Sequence, residues 1–171
     1  MAKTTYLDEL IEFKHSVIAE LASSRDVVGL LLNNPYIDME SDAAYEITNT
    51  HIYDFDYVDH TVQRTDAYVM VDGEMMYPTS GSMNKWYLYV QVICEKTYNK
   101  LDHKIFKGVK GNRRDNLIRQ IDVLLNGSDQ FGIGKLELVK GNIATVPDSF
   151  TSYMLTYEIH DFRKERLVRG R

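Results

Sequence analysis

Residues 86–95 read "WYLYVQVICE". Trp86, Leu88, Val90, Val92 and Cys94 alternate with Tyr87, Tyr89, Gln91, Ile93 and Glu95. Alternation of this kind sends the two sets to opposite faces of a β-strand. Both sets are fairly apolar, so the spacing predicts a central strand with helices over one face. Upstream, Ala67 to Val71 reads as a second strand, and Pro78, Ser80, Gly81 and Ser82 mark the tip of a long hairpin between the two.

Helices and further strands follow from the flanking patterns. "NRRDNLIRQIDVLLNG" predicts a helix over about 112–126. Asn112 is placed to cap it, with Asp115 at the third helical position, and Gly127 to stop it. Leu117, Ile118, Ile121, Leu124 and Leu125 form its apolar face. "TTYLDELIEFKHSVIAELASS" predicts an amphipathic N-terminal helix, with Thr5 as cap and Leu7, Leu10, Ile11, Val17, Ile18 and Leu21 as its stripe. A short apolar helix capped by Ser24 precedes Asn33, Asn34 and Pro35. Residues 35–60 show no period and read as a long loop with one extended piece, the kind of segment that serves function or a partner. Two more strands follow the second long helix, alternating at Leu136 and Leu138 and at Tyr153, Leu155, Tyr157 and Ile159. Strands that come in hairpins give a mostly antiparallel sheet of about four to five strands, flanked by the N-terminal helix and the 112–126 helix. The class is α+β: one domain over 1–162, then a basic tail over 163–171.

Composition narrows the function. The chain has 171 residues and a formal net charge of −5, which argues against general nucleic-acid binding. The charge is uneven: "RKERLVRGR" at 163–171 holds five basic groups and one acidic, so this segment is +4 and the remainder −9. Its Arg163, Lys164, Arg166, Arg169 and Arg171 could form a free tail, lie on the acidic body of another copy, or touch nucleic acid weakly. The single cysteine, Cys94, excludes an internal disulfide framework. No apolar run approaches the ~20 residues that span a bilayer, and the first residues lack a secretory core. The expectation is a protein made and folded in a cytoplasm. Twelve tyrosines suit surfaces that meet another molecule, or half-buried strand positions.

Four stretches could carry chemistry. "GIGK" at 132–135 resembles a phosphate cradle, but it follows a helix and enters a strand, and Leu136 stands where a P-loop needs Ser or Thr. It reads as a corner between helix and sheet. "HIYDFDYVDH" offers His51, Asp54, Asp56, Asp59 and His60. Asp54, Asp56 and Asp59 with a histidine could hold Mg²⁺ or Mn²⁺ for a nuclease, yet the spacing fits no metal motif and equally suits a solvated loop. Cys94 sits among large apolar neighbours as a small buried hydrophobe. "RRDNLIRQID" puts Arg113, Arg114, Asp115, Arg119 and Asp122 on the polar side of the helix, with Asp115 and Arg119 spaced to pair. Arg113 and Arg114 could alternatively meet a neighbouring subunit. No catalytic, metal or cofactor residue follows from any of these.

One family shares the arrangement. The N-terminal helix, the hairpin ending in "YLYVQVICEKTYNKLD", the helix carrying Arg113, Asp115, Leu117, Ile121, Asp122, Leu124 and Leu125, then "FGIGKLEL" and a last strand closing on Asp161 and Phe162 resemble the small tail terminator and tail-completion proteins of tailed bacteriophages. The resemblance covers roughly 65–162 and rests on pattern, with no catalytic signature. Head-closure and head-tail joining proteins share the pattern. The resemblance implies a virion protein forming a ring, usually a hexamer, that caps the last ring of tail-tube protein and presents a surface to the head connector. It implies no cofactor and no catalysis, with DNA passing through the lumen unread. The loop 35–60, the 78–83 tip and the basic tail are then candidate contacts with the tube or the adjacent subunit.

Overall fold

The computed structural model describes residues 6–55, 66–76, 85–132 and 134–160. Thr5, the 78–83 tip, Asp161, Phe162 and the basic segment 163–171 lie outside the described residues.

The sheet has five strands in the order β1-β2-β3-β5-β4. They are β1 (Ile52–Tyr53), β2 (Ala67–Met76), β3 (Lys85–Glu95), β4 (Leu136–Asn142) and β5 (Phe150–His160). The alternating stretch at 86–95 does become the middle strand, with β2 and β5 antiparallel on either side. Only the β1–β2 pairing is parallel, through Ile52 opposite Val69. The mostly antiparallel α+β reading therefore holds.

Five helices accompany the sheet among the described residues: α1 (Tyr6–Ser23), α2 (Arg25–Leu31), α3 (Asp42–Tyr45), α4 (Ile47–Thr50) and α5 (Arg113–Leu125). Trp86, Leu88, Val90, Val92 and Cys94 join Val17, Leu21, Val28, Leu31, Leu117, Ile121 and Leu125 in one apolar cluster. Burial of this area is the main favourable term in folding. The caps stand where the sequence places them. Ser24 accepts from the Val27 amide, and Asn112 accepts from the Asp115 amide at 2.9 Å. Gly127, at φ +83°, turns the chain out of α5.

Three expectations need correction. The α1 stripe holds at Leu10, Val17, Ile18 and Leu21 and includes Phe13, while Leu7 and Ile11 are exposed at 63% and 51%. Phe13 meets Phe131 edge-on. The stretch 35–55 is not simply a loop. It contains α3, α4 and β1, anchored in the core by Ile37, Ala44, Ile47 and Ile52. Arg113 does not lie on the polar side of α5; it is 1% exposed. No described helix is long and apolar enough to cross a membrane.

Candidate functional site

Of the nuclease candidates, the described His51 and Asp54 do not converge. The His51 ring stacks on Tyr68, and its Nε2 lies 3.9 Å from Asp66 Oδ1. The Asp54 carboxylate turns elsewhere, 4.0 Å from His15 Nε2 on α1. What Asp54 contributes to the fold is its carbonyl, which accepts from Lys14 Nζ at 2.8 Å. The same ammonium reaches Asp72 Oδ1 at 3.0 Å, so one lysine ties α1 to β2 and to the chain leaving β1. Asp56, Asp59 and His60 lie outside the described residues. Among the described residues no group of three His, Cys, Asp or Glu side chains could hold a metal ion.

The "GIGK" stretch is a corner. The Gly127 amide donates to the Leu136 carbonyl at 2.8 Å, and the Leu136 amide donates to the Ser128 carbonyl at 2.9 Å. These bonds close the connection between α5 and β4 on itself. Gly132, at φ +84°, takes the left-handed turn within it. Cys94 is buried and free, and burial pushes its thiol pKa up to about 12. Arg113 and Arg114 pull the thiol pKa down, but burial outweighs them, and the thiol lacks the access of a reactive cysteine.

Arg113 is a buried cross-link. Its Nε donates to the Tyr98 carbonyl at 2.8 Å, its Nη2 to Asn33 Oδ1 at 2.7 Å, and its Nη1 to the Leu30 carbonyl. Leu30 belongs to the last turn of α2, where the helix dipole favours a cation. The guanidinium also covers the rings of Tyr98 and Phe106. Burial holds its pKa below the usual arginine range. So Arg113 leaves the set of candidate subunit contacts. The sequence did contain a signal: Arg113 sits four residues before Leu117, in step with Ile121 and Leu125. Arg114 is half-buried, donates to Thr151 Oγ1, and pairs with Asp115 at 2.9 Å. Asp115 thus pairs with its neighbour, not with Arg119.

Opposite the helices the sheet presents a second face. Tyr68, Met70, Ile93 and Phe150 form a small cluster there, joined by Tyr53 and Val146. Beyond that cluster the face turns polar, with Glu74, Tyr87, Glu158 and Glu137 in one cross-strand row. Tyr89 Oη donates to Glu74 Oε2 at 2.8 Å. Partial burial, then that carboxylate, pushes the Tyr89 pKa up to about 12. Lys85 Nζ donates to Glu158 Oε1 at 2.6 Å, and this bond raises the lysine pKa. These groups pair across strands and leave no assembled nucleophile, base and oxyanion donor. The outer edge at β4 has its register shifted between Leu138 and Lys140, with Val139 exposed there and Ile143 exposed just beyond the strand.

Sequence reasoning missed the exposed rings of Tyr36 and Tyr45, at 79% and 72%, which stand among carboxylates before β1. The stretch looked featureless because neither of its helices exceeds one turn.

The fold is α+β, with helices over one face of the sheet and a second face that is partly polar. Residues 24–159 match the model of the YomW family, and the chain belongs to that family, a phage-like family of Bacillus prophage proteins. No curated protein matches the chain.

Proposed function

We propose that the chain is a structural protein of a phage tail: a tail terminator that assembles as a ring, most simply a hexamer, on the end of the tail tube. Membership of a phage-like family across 24–159 is the observation that carries this reading. The chemistry of the surface supports it: Lys14, Lys85 and Arg114 each pair with a carboxylate. An open sheet face and an outer strand are the kinds of surface that identical copies and a tube can cover.

In this role the ring stops tube growth and offers its other face to the head connector. Its work is binding, with no bond made or broken. A net charge of −5 suits a lumen through which DNA slides without sticking. The protein would be assembled in the bacterial host cytoplasm and end in the virion neck. A head-closure or head-tail joining role is the nearest rival.

The test is genetic. Removing the gene from its prophage should leave heads and tubes that fail to join, with tubes of uncontrolled length. Tubes of normal length that simply lack heads would favour the rival neck role. Normal infectious particles would contradict both.

A further inference from the structure

Between Arg25 and Arg64 the sequence has no Lys or Arg. Within that interval Asp38, Glu40, Asp42 and Glu46 are all exposed, and none of them enters an ion pair among the described residues. The rings of Tyr36 and Tyr45 stand out from the same stretch. Uncompensated carboxylates beside exposed aromatic rings suit arginine, which pairs with the former and stacks on the latter. The same chain carries such groups: Arg163, Lys164, Arg166, Arg169 and Arg171 follow β5 in sequence.

The Tyr36–Glu46 stretch and His160, after which the basic segment follows, lie toward opposite ends of the sheet. Tyr98, just past the end of β3 at Glu95, donates to the Leu31 carbonyl at 2.8 Å, so the chain entering Tyr36 starts from that end. It returns to the same end, since Ile52 stands opposite Val69, and Val69 opposite Val92. His160, from which the basic segment departs, stands opposite Lys85 at the other end of β3. The separation along β3 is roughly 30 Å at the rise of a strand. Arg163 and Lys164 lie three and four residues past His160, a reach of at most about 14 Å. At that reach these two cannot meet the Tyr36–Glu46 surface of their own copy.

We propose that residues 161–171 of one copy dock on the Tyr36–Glu46 surface of the next. A donor at one end and an acceptor at the other make a heterologous, head-to-tail contact, which closes into a ring when the rotation per copy allows. The inference rests on the ring reading and names its interface.

Native mass spectrometry of full-length chains tests it. One variant reverses the surface (E40K, D42N, E46K) and another reverses the segment (R163E, K164E, R166E, R169E, R171E). The wild type should form multimers that weaken as salt screens the charges. Each variant alone should associate at least about tenfold more weakly. A mixture, with one partner ¹⁵N-labelled, should regain multimers that hold the two variants in equal number, because the native segment meets the native surface at one junction and the reversed segment meets the reversed surface at the next. Mixed assembly also shows that both variants are folded. A monomeric wild type, variants that assemble like the wild type, or a mixture that stays monomeric would each overturn the contact. Wild-type rings untouched by both reversals would remove this interface and leave the ring reading standing. Mixed multimers of a chain that never binds a tail tube would keep the contact and remove the terminator reading.

Discussion

The guanidinium carbon of Arg113 lies 4.0 Å from the centre of the Tyr98 ring, and Arg113 Nε donates to the carbonyl of the same residue. With its bonds to Leu30 and Asn33, this arginine joins the end of α2, the start of α5 and the turn after β3. Its charge is met by carbonyl and amide oxygens and by rings, with no carboxylate in an ion pair among the described residues. Lysine has neither the fork nor the plane to replace it. Arg113→Lys should destabilise the fold by about 2–3 kcal/mol in urea unfolding, each bond to a charged donor being worth about 1.5–3 kcal/mol. A loss below ~0.5 kcal/mol would show that the cross-link is incidental.

Gly29 sits inside α2, where alanine ordinarily favours a helix by about 1 kcal/mol. Here a Cβ would stand 2.9 Å from the Asn34 carbonyl oxygen and 3.3 Å from Pro35 Cα, both backbone atoms. The turn at Asn33 folds the chain back against the helix, and overpacking of this kind costs about 1–3 kcal/mol. Gly29→Ala should therefore lower the thermal midpoint despite its better propensity. A raised midpoint would mean that the turn yields easily.

Cys94 offers a clean probe because the chain has one cysteine. Its thiol should resist alkylation at pH 8 in the native chain and react at the ordinary rate in denaturant. Because folding raises its pKa from 9.0 to about 12, the folded chain keeps a proton that the unfolded chain loses. The stabilisation is whole below about pH 9 and falls as pH climbs toward 12. Tyr89, raised from 10.0 to about 12, adds to the same decline. A wild type whose stability is flat across that window, or a thiol alkylated at pH 8 as quickly as in denaturant, would refute this account of the core.

Asp54 is useful mainly through its backbone carbonyl, so Asp54→Ala should cost under ~0.5 kcal/mol, as exposed substitutions commonly do. With Mg²⁺ or Mn²⁺ present, neither protein should cut a fluorescent DNA substrate above background. Metal-dependent cleavage by the wild type that disappears in Asp54→Ala would restore the nuclease alternative.

The legible parts of this molecule were those governed by local chemistry. The alternation at Trp86–Glu95 set the central strand, and Ser24, Asn112 and Gly127 marked helix ends through bonds to residues nearby in the chain. The illegible parts depend on distant partners. β1 is two residues long and exists because Val69 and Met70 lie beside it. The inward turn of Arg113 requires Leu30, 83 residues away. Phe13 belongs to the buried face of α1, where it meets Phe131 from far along the chain. Of the candidate surfaces, the charge asymmetry was plain from composition. Its geometry was not, because the placement of Tyr36–Glu46 depends on Tyr98 and β2.

Electron microscopy of tail tubes incubated with the purified chain addresses ring assembly most directly. Tubes should end in a ring of identical subunits, at one end only, and stop elongating when tube protein is added. Tubes that keep growing with bare ends, at chain concentrations well above that of tube ends, would contradict a terminator role.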